Sequence, residues 1–144
     1  MSFSQFKVNH RCVQRLAAEG ITEPTEVQAQ AIPVALEGED LVTIAQTGTG
    51  KTLAFSLPAI TRLANNHSKQ RGVKMLVLTP TRELAQQVAR VVQPLARELK
   101  LWTTCVYGGA GMDQQTKDLR RGSDIVIATP GRLLDLFDRG KILL

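Results

Sequence analysis

The chain has 144 residues, 43% of them apolar and 22% charged, the make-up of one soluble globular domain or part of one. It is long enough to bury a core without disulfides, and Cys12 and Cys105 stand far apart in no metal-ligand spacing, so both are expected as small, reduced core residues. The net charge of +5 attracts polyanions and argues against an acidic interaction module, while the lack of a signal-like apolar segment near Met1 or any membrane-length apolar run leads to the cytoplasm as the expected compartment, with no membrane partner.

Asn9 is placed to cap a first helix over 11–19, ended by Gly20. Thr25 opens a second helix reaching about Leu36, with Pro33 expected to kink it. Residues 41–45 read as a short buried strand, and a helix follows from Lys51 to about Leu63. After a polar loop over 65–72, the pattern predicts a strand over 74–78 and a helix over 83–99 with a kink at Pro94. A strand over 103–107, a helix over 113–120, a strand over 124–128 and a helix over 132–138 complete the series. Trp102, between an amphipathic helix and a strand, is expected in the core. His10, His67, Lys69 and Arg71 are expected to face solvent. Strands alternating with helices predict an α/β fold, a parallel sheet with helices on both faces.

The strongest chemical signal is Ala45-Gln46-Thr47-Gly48-Thr49-Gly50-Lys51-Thr52, between a predicted strand and a predicted helix. Backbone N–H groups of such a loop surround phosphate oxygens, and the following helix adds its positive end. Gly48 and Gly50 allow tight left-handed turns. Lys51 is placed to reach the β- and γ-phosphates, and the Thr52 hydroxyl to ligate Mg²⁺. The general pattern has glycine where this chain has Ala45.

Upstream runs Gly20-Ile21-Thr22-Glu23-Pro24-Thr25-Glu26-Val27-Gln28. A glutamine amide both donates and accepts, so it matches adenine N7 and N6–H and would select ATP over GTP. Thr25-Glu26-Val27-Gln28 is equally a capping box, in which Gln28 satisfies the first turn of its own helix. Spacing alone leaves both readings standing, and one residue serves both only if the amide divides its groups between them.

These segments resemble the DEAD-box ATP-dependent RNA helicases. Residues 20–28 look like that family's Q motif, and Phe3 stands where the family has an upstream aromatic residue. The family's own phosphate loop begins with alanine, which Ala45 matches. The resemblance implies a RecA-like P-loop fold, adenine recognition by Gln28 with Ile21 and Phe3 near the base, and phosphate and Mg²⁺ binding by residues 45–52. Core packing remains the alternative for Phe3.

Pro80-Thr81-Arg82 lies where a strand ends and a helix opens, and Thr129-Pro130-Gly131-Arg132 repeats the arrangement after the last predicted strand. Gly108-Gly109 follows another strand and permits close backbone approach. Each alone is an ordinary strand-to-helix turn. Together they share the carboxyl end of a parallel sheet, where ligands bind in open α/β folds. They resemble the family's motifs Ia, GG and Ib in the family's order. That implies sequence-independent contact with the sugar-phosphate backbone of RNA. Glu83 would repel phosphate and is expected to hold a neighbouring loop.

Hydrolysis also needs an acid that organises Mg²⁺ and a group that positions water. The family supplies them from an Asp-Glu-Ala-Asp motif and a second RecA-like domain, and no Asp-Glu pair occurs in this chain. Asp113, Asp118, Asp124, Asp135 and Asp138 are not placed to substitute. The expected organisation is therefore an N-terminal region over 1–40 and an incomplete, truncated first RecA-like domain over 41–144. Alone, the segment is expected to be inactive, with an unpaired sheet edge that invites self-association. The main reading is a segment of an ATP-dependent RNA helicase, and the alternative is a noncatalytic nucleotide- and RNA-binding half-domain acting alone. A small-molecule kinase sharing the phosphate loop would leave Gln28 and the three sheet-end turns without a role.

Overall fold

A computed structural model describes residues 1–46, 50–66, 72–109, 111–142 and 144. They fall into two compact units, Met1–His67 and Ser68–Leu144.

The first unit is helical. A 3₁₀ turn, Phe3–Gln5, precedes α1 (His10–Ala18), α2 (Glu26–Leu36) and α3 (Lys51–Asn65). The Asn9 side chain accepts from Arg11 N at 2.9 Å, the cap expected for α1. Its own N–H donates to the buried Thr61 Oγ1 at 3.0 Å, tying the head of α1 to α3. Cys12, Leu16, Ile32, Leu57 and Ile60 are buried, and α2 packs on α3. Phe3 is fully buried, with its ring edge-on to Phe6 at 6.3 Å.

The buried strand expected over 41–45 is not formed. No ladder is assigned to residues 41–46, and Val42 and Ile44 are 89% and 95% exposed. A strand exists through the partners that satisfy its N–H and C=O groups. Among the described residues none pairs with this segment, so its β-branched side chains gain nothing from their pattern.

The second unit carries the sheet. It comprises β1 (Met75–Leu78), α4 (Arg82–Glu98), β2 (Thr103–Val106), α5 (Met112–Arg120), β3 (Ile125–Ala128) and α6 (Pro130–Asp138), each within two residues of the sequence expectation. The three strands are parallel in the order β1-β3-β2, with Leu78 and Val106 both in register with Ala128. Central β3, Ile-Val-Ile-Ala, is buried along its whole length. Val126 and Ala128 pack with Leu133 and Leu136 of α6 and Val106 of β2. Alternation puts Ile125 and Ile127 on the other face, and both are fully buried, so both faces are covered. Edge strand β1 leaves Leu76 and Leu78, which share a face, 40% and 55% exposed.

Trp102 is not in the core; it is 65% exposed. The turn after α4 explains this. Lys100 takes a left-handed φ of 57°, and Leu101 N donates back to Ala96 O at 2.9 Å. That closure buries Leu101 and sends its neighbour outward. Cys105, on edge strand β2, is half-buried rather than buried, and burial raises its thiol pKa. His10 is exposed as expected; His67, Lys69 and Arg71 lie outside the described residues.

Candidate nucleotide and nucleic-acid sites

In the first unit, Gln28 is 2% exposed and each end of its amide makes a hydrogen bond. Oε1 accepts from Thr25 N at 2.9 Å, and Thr25 Oγ1 accepts from Gln28 N at 3.4 Å, a reciprocal capping box. Nε2 donates to the Gly50 carbonyl at 3.1 Å. The amide is thus divided, one end serving its own helix and the other the residue that caps α3. Gly50 sits at φ +84°, and a Cβ there would overlap Gln28 Nε2. Glycine is required twice, by the left-handed backbone and by the close approach of the amide.

Lys51 and Thr52 are the first two residues of α3, Lys51 exposed and Thr52 half-buried. The first turn of a helix has free N–H groups and a positive end, a fit for phosphate oxygens. Ala45 is half-buried and Gln46 exposed, while Thr47, Gly48 and Thr49 lie outside the described residues. Ile21 is 37% exposed. Phe3 lies in the core, away from solvent.

In the second unit, the in-register parallel strands bring the three turns to one end of the sheet. Thr79 N donates to Ala128 O at 2.9 Å and Thr129 N to Val106 O at 3.0 Å, which ties the strand ends together. Thr81 caps α4 by accepting from Leu84 N at 3.2 Å. The Arg82 guanidinium lies over the Tyr107 ring, 5.0 Å from its centroid. Gln86 Nε2 donates to Tyr107 Oη at 3.2 Å. Gln115, 6% exposed, donates from Nε2 to the Tyr107 carbonyl at 3.1 Å, and its Oε1 accepts from Arg132 Nη1 at 3.1 Å. Gly109 has φ +82°, and a Cβ there would sit 3.4 Å from Arg82 Nη1. Gly108, Pro80, Pro130 and Gly131 are exposed around this cluster, and Thr129 precedes the Pro130 that opens α6. Glu83 is exposed in the first turn of α4.

Tyr107, Gln86 and Gln115 were not singled out from sequence, yet they hold the two arginines. A signal existed for Gln115. It shares the inward face of α5 with Met112 and Leu119, at helical spacing. A glutamine on such a face needs buried polar partners.

Residues 25–143 match the model of the family described as DEAD/DEAH box helicase. The chain belongs to the DEAD/DEAH box helicase family. A mouse protein named probable ATP-dependent RNA helicase DDX17 is 51% identical over 128 residues, 88% of this chain and 20% of that protein. RNA helicase CrhR of Synechocystis is 43% identical over 143 residues, 99% of this chain and 28% of the relative. A solved structure described as a hypothetical ATP-dependent RNA helicase from Sulfolobus tokodaii superposes with a TM-score of 0.82 at 40% identity, covering 93% of this chain and 38% of that one. The fold is thus that of a helicase RecA-like domain. The chain spans between about a fifth and under a third of the length of these two curated relatives.

No helix among the described residues is long and apolar enough to cross a membrane. Among those residues there is also no cluster of three His, Cys, Asp or Glu side chains able to hold a metal by itself.

Proposed function

We propose that this DEAD-box chain is the ATP- and RNA-binding front part of an ATP-dependent RNA helicase. The observation that carries the reading is the bond from Gln28 Nε2 to the Gly50 carbonyl. It joins the segment resembling the Q motif to the residue that opens the phosphate-binding helix. In this reading Gln28 exchanges one of its internal partners for the adenine edge, and Ile21 borders the base. Phe3, buried in the core, backs that region rather than touching the base. Residues 45–52 hold the phosphates, and Lys51 compensates charge that develops during phosphoryl transfer.

Mg²⁺ belongs to the same reading. Thr52 suits a cation held mainly by substrate phosphate oxygens and water, since Mg²⁺ of this class takes few protein ligands. When bound, the ion would supply positive charge that offsets the phosphate charge. A carboxylate ligand and the second RecA-like domain would come from a longer chain, so the 144 residues alone bind but do not turn over. A strand from that longer chain would pair with residues 41–45. The two thiols, neither in a disulfide, suit a reducing cytoplasm.

RNA would lie across the carboxyl end of the sheet. Arg82 and Arg132, the Thr81 and Thr129 turns, and the Gly108–Gly109 backbone would face its sugar-phosphate chain. Phosphate release by the full-length protein with Mg²⁺, ATP and RNA tests the whole. Loss of most turnover in Lys51→Ala, with nucleotide-free RNA binding intact, is the expected result. Near-normal turnover would contradict it.

A further inference from the structure

Trp102 is the chain's sole tryptophan, and it sits at the amino ends of the strands, opposite the Arg82–Arg132 cluster. Four residues of β2 separate the two ends, about 13 Å at strand rise. The backbone of Trp102 is firmly held. Its N–H donates to Asp124 Oδ2 at 2.9 Å, and its carbonyl accepts from Asp124 N and Ile125 N at 2.9 and 3.0 Å. The indole nonetheless stays 65% exposed. A large flat ring held on a rigid frame offers a ready surface on which another flat group can stack.

Beside it opens a cavity of about 470 Å³ lined by Gln93, Arg97, Lys100, Leu101, Trp102 and Thr103. Arg97 and Lys100 are both exposed. Lys100 occupies the left-handed position where glycine is the usual residue, a strained choice that keeps a cation in the turn. The acids at this end are accounted for. Asp124 is paired with Lys74 at 2.8 Å, and the half-buried Glu98 is engaged within the fold. Arg120 and Arg121, exposed at the end of α5, add positive charge at the same end of the sheet.

An aromatic face flanked by exposed cations is the chemistry that holds single-stranded nucleic acid. The ring stacks on a base of any identity, and the cations meet the adjoining phosphates. An acidic peptide would use the cations but not the face of the ring. We propose that Trp102, Arg97 and Lys100 form a second contact for single-stranded RNA, separate from the carboxyl-end turns. One base stacks on the indole, and the flanking phosphates meet the guanidinium and the ammonium.

Because Trp102 is the sole tryptophan, fluorescence excited at the red edge, where Tyr107 does not absorb, reports on this site alone. The chain is titrated with a short oligouridylate, and binding is followed in parallel by anisotropy of labelled RNA. Saturable quenching, weakened by salt, is expected. It persists in an Arg82→Ala/Arg132→Ala variant, and its midpoint moves to about tenfold higher RNA in an Arg97→Gln/Lys100→Gln variant. Four results would each overturn the proposal. They are no RNA binding by either readout, RNA binding without quenching, quenching abolished by the Arg82/Arg132 pair, and a midpoint unmoved by the Arg97/Lys100 pair. Quenching by oligoglutamate but not by RNA would also overturn it and assign the surface to an acidic protein partner.

Discussion

Gln28 donates its side-chain amide to the Gly50 carbonyl at 3.1 Å, while its amide oxygen closes the capping box of its own helix 2.9 Å from Thr25 N. One buried residue thereby couples the start of α2 to the start of α3. Its removal has two separable consequences. Gln28→Ala leaves Thr25 N and the Gly50 carbonyl without these partners, so stability falls by about 1–2 kcal/mol, read by thermal or denaturant unfolding. If the amide also reads adenine, ATP affinity falls and the preference over GTP shrinks. A purely structural glutamine lowers stability and leaves nucleotide choice alone.

Gly50→Ala probes the same contact from the other side. The left-handed φ penalises any L side chain by about 1–2 kcal/mol, and the new Cβ meets Gln28 Nε2. In a Gln28→Ala background the clash is gone and only the backbone cost remains. A double-mutant cycle should therefore show coupling between the two positions. Strict additivity would mean that the amide does not rest on Gly50.

At the sheet end, Gln115 holds Arg132 and the Tyr107 carbonyl together. Arg132→Ala should weaken RNA binding by the full-length protein about equally for all sequences. It should also reduce the slope of log affinity against log salt by about one phosphate contact. Gln115→Ala keeps the charge but removes one contact that positions the guanidinium, so affinity falls by a smaller factor and the salt slope is unchanged. A changed base preference in either variant would mean that the cluster reads bases.

Val42 and Ile44 are nearly fully exposed, and Leu76 and Leu78 are partly so on an edge strand. Such surfaces pair with other copies. The isolated chain should self-associate as its concentration rises, seen by light scattering or sedimentation, and Ile44→Lys should reduce this. A strictly monomeric chain at high concentration would contradict the prediction.

Much of this molecule is written locally. Asn9, Thr25 and Thr81 sit where their helices begin, because capping depends on nearest neighbours. The strand expected over 124–128 forms as β3, and its Ile-Val-Ile-Ala is buried along its whole length. Residues 41–45 carry a similar pattern but lack a ladder, since pairing depends on a partner the local sequence does not contain. Trp102 misled for another reason. Its exposure follows from the left-handed turn at Lys100, a conformation that lysine does not advertise. The two arginines of the sheet end were legible from their turns. Tyr107, Gln86 and Gln115 were not, because their roles arise only when three loops meet.

The central claim is that residues around Gln28 and Lys51 form an adenine-specific nucleotide site, and calorimetric titration of the chain with ATP and with GTP tests it most directly. The account predicts that ATP binds in the presence of Mg²⁺, that GTP binds markedly more weakly, and that Lys51→Ala abolishes the ATP signal. Equal affinity for the two nucleotides, or ATP binding undiminished in Lys51→Ala, would contradict it.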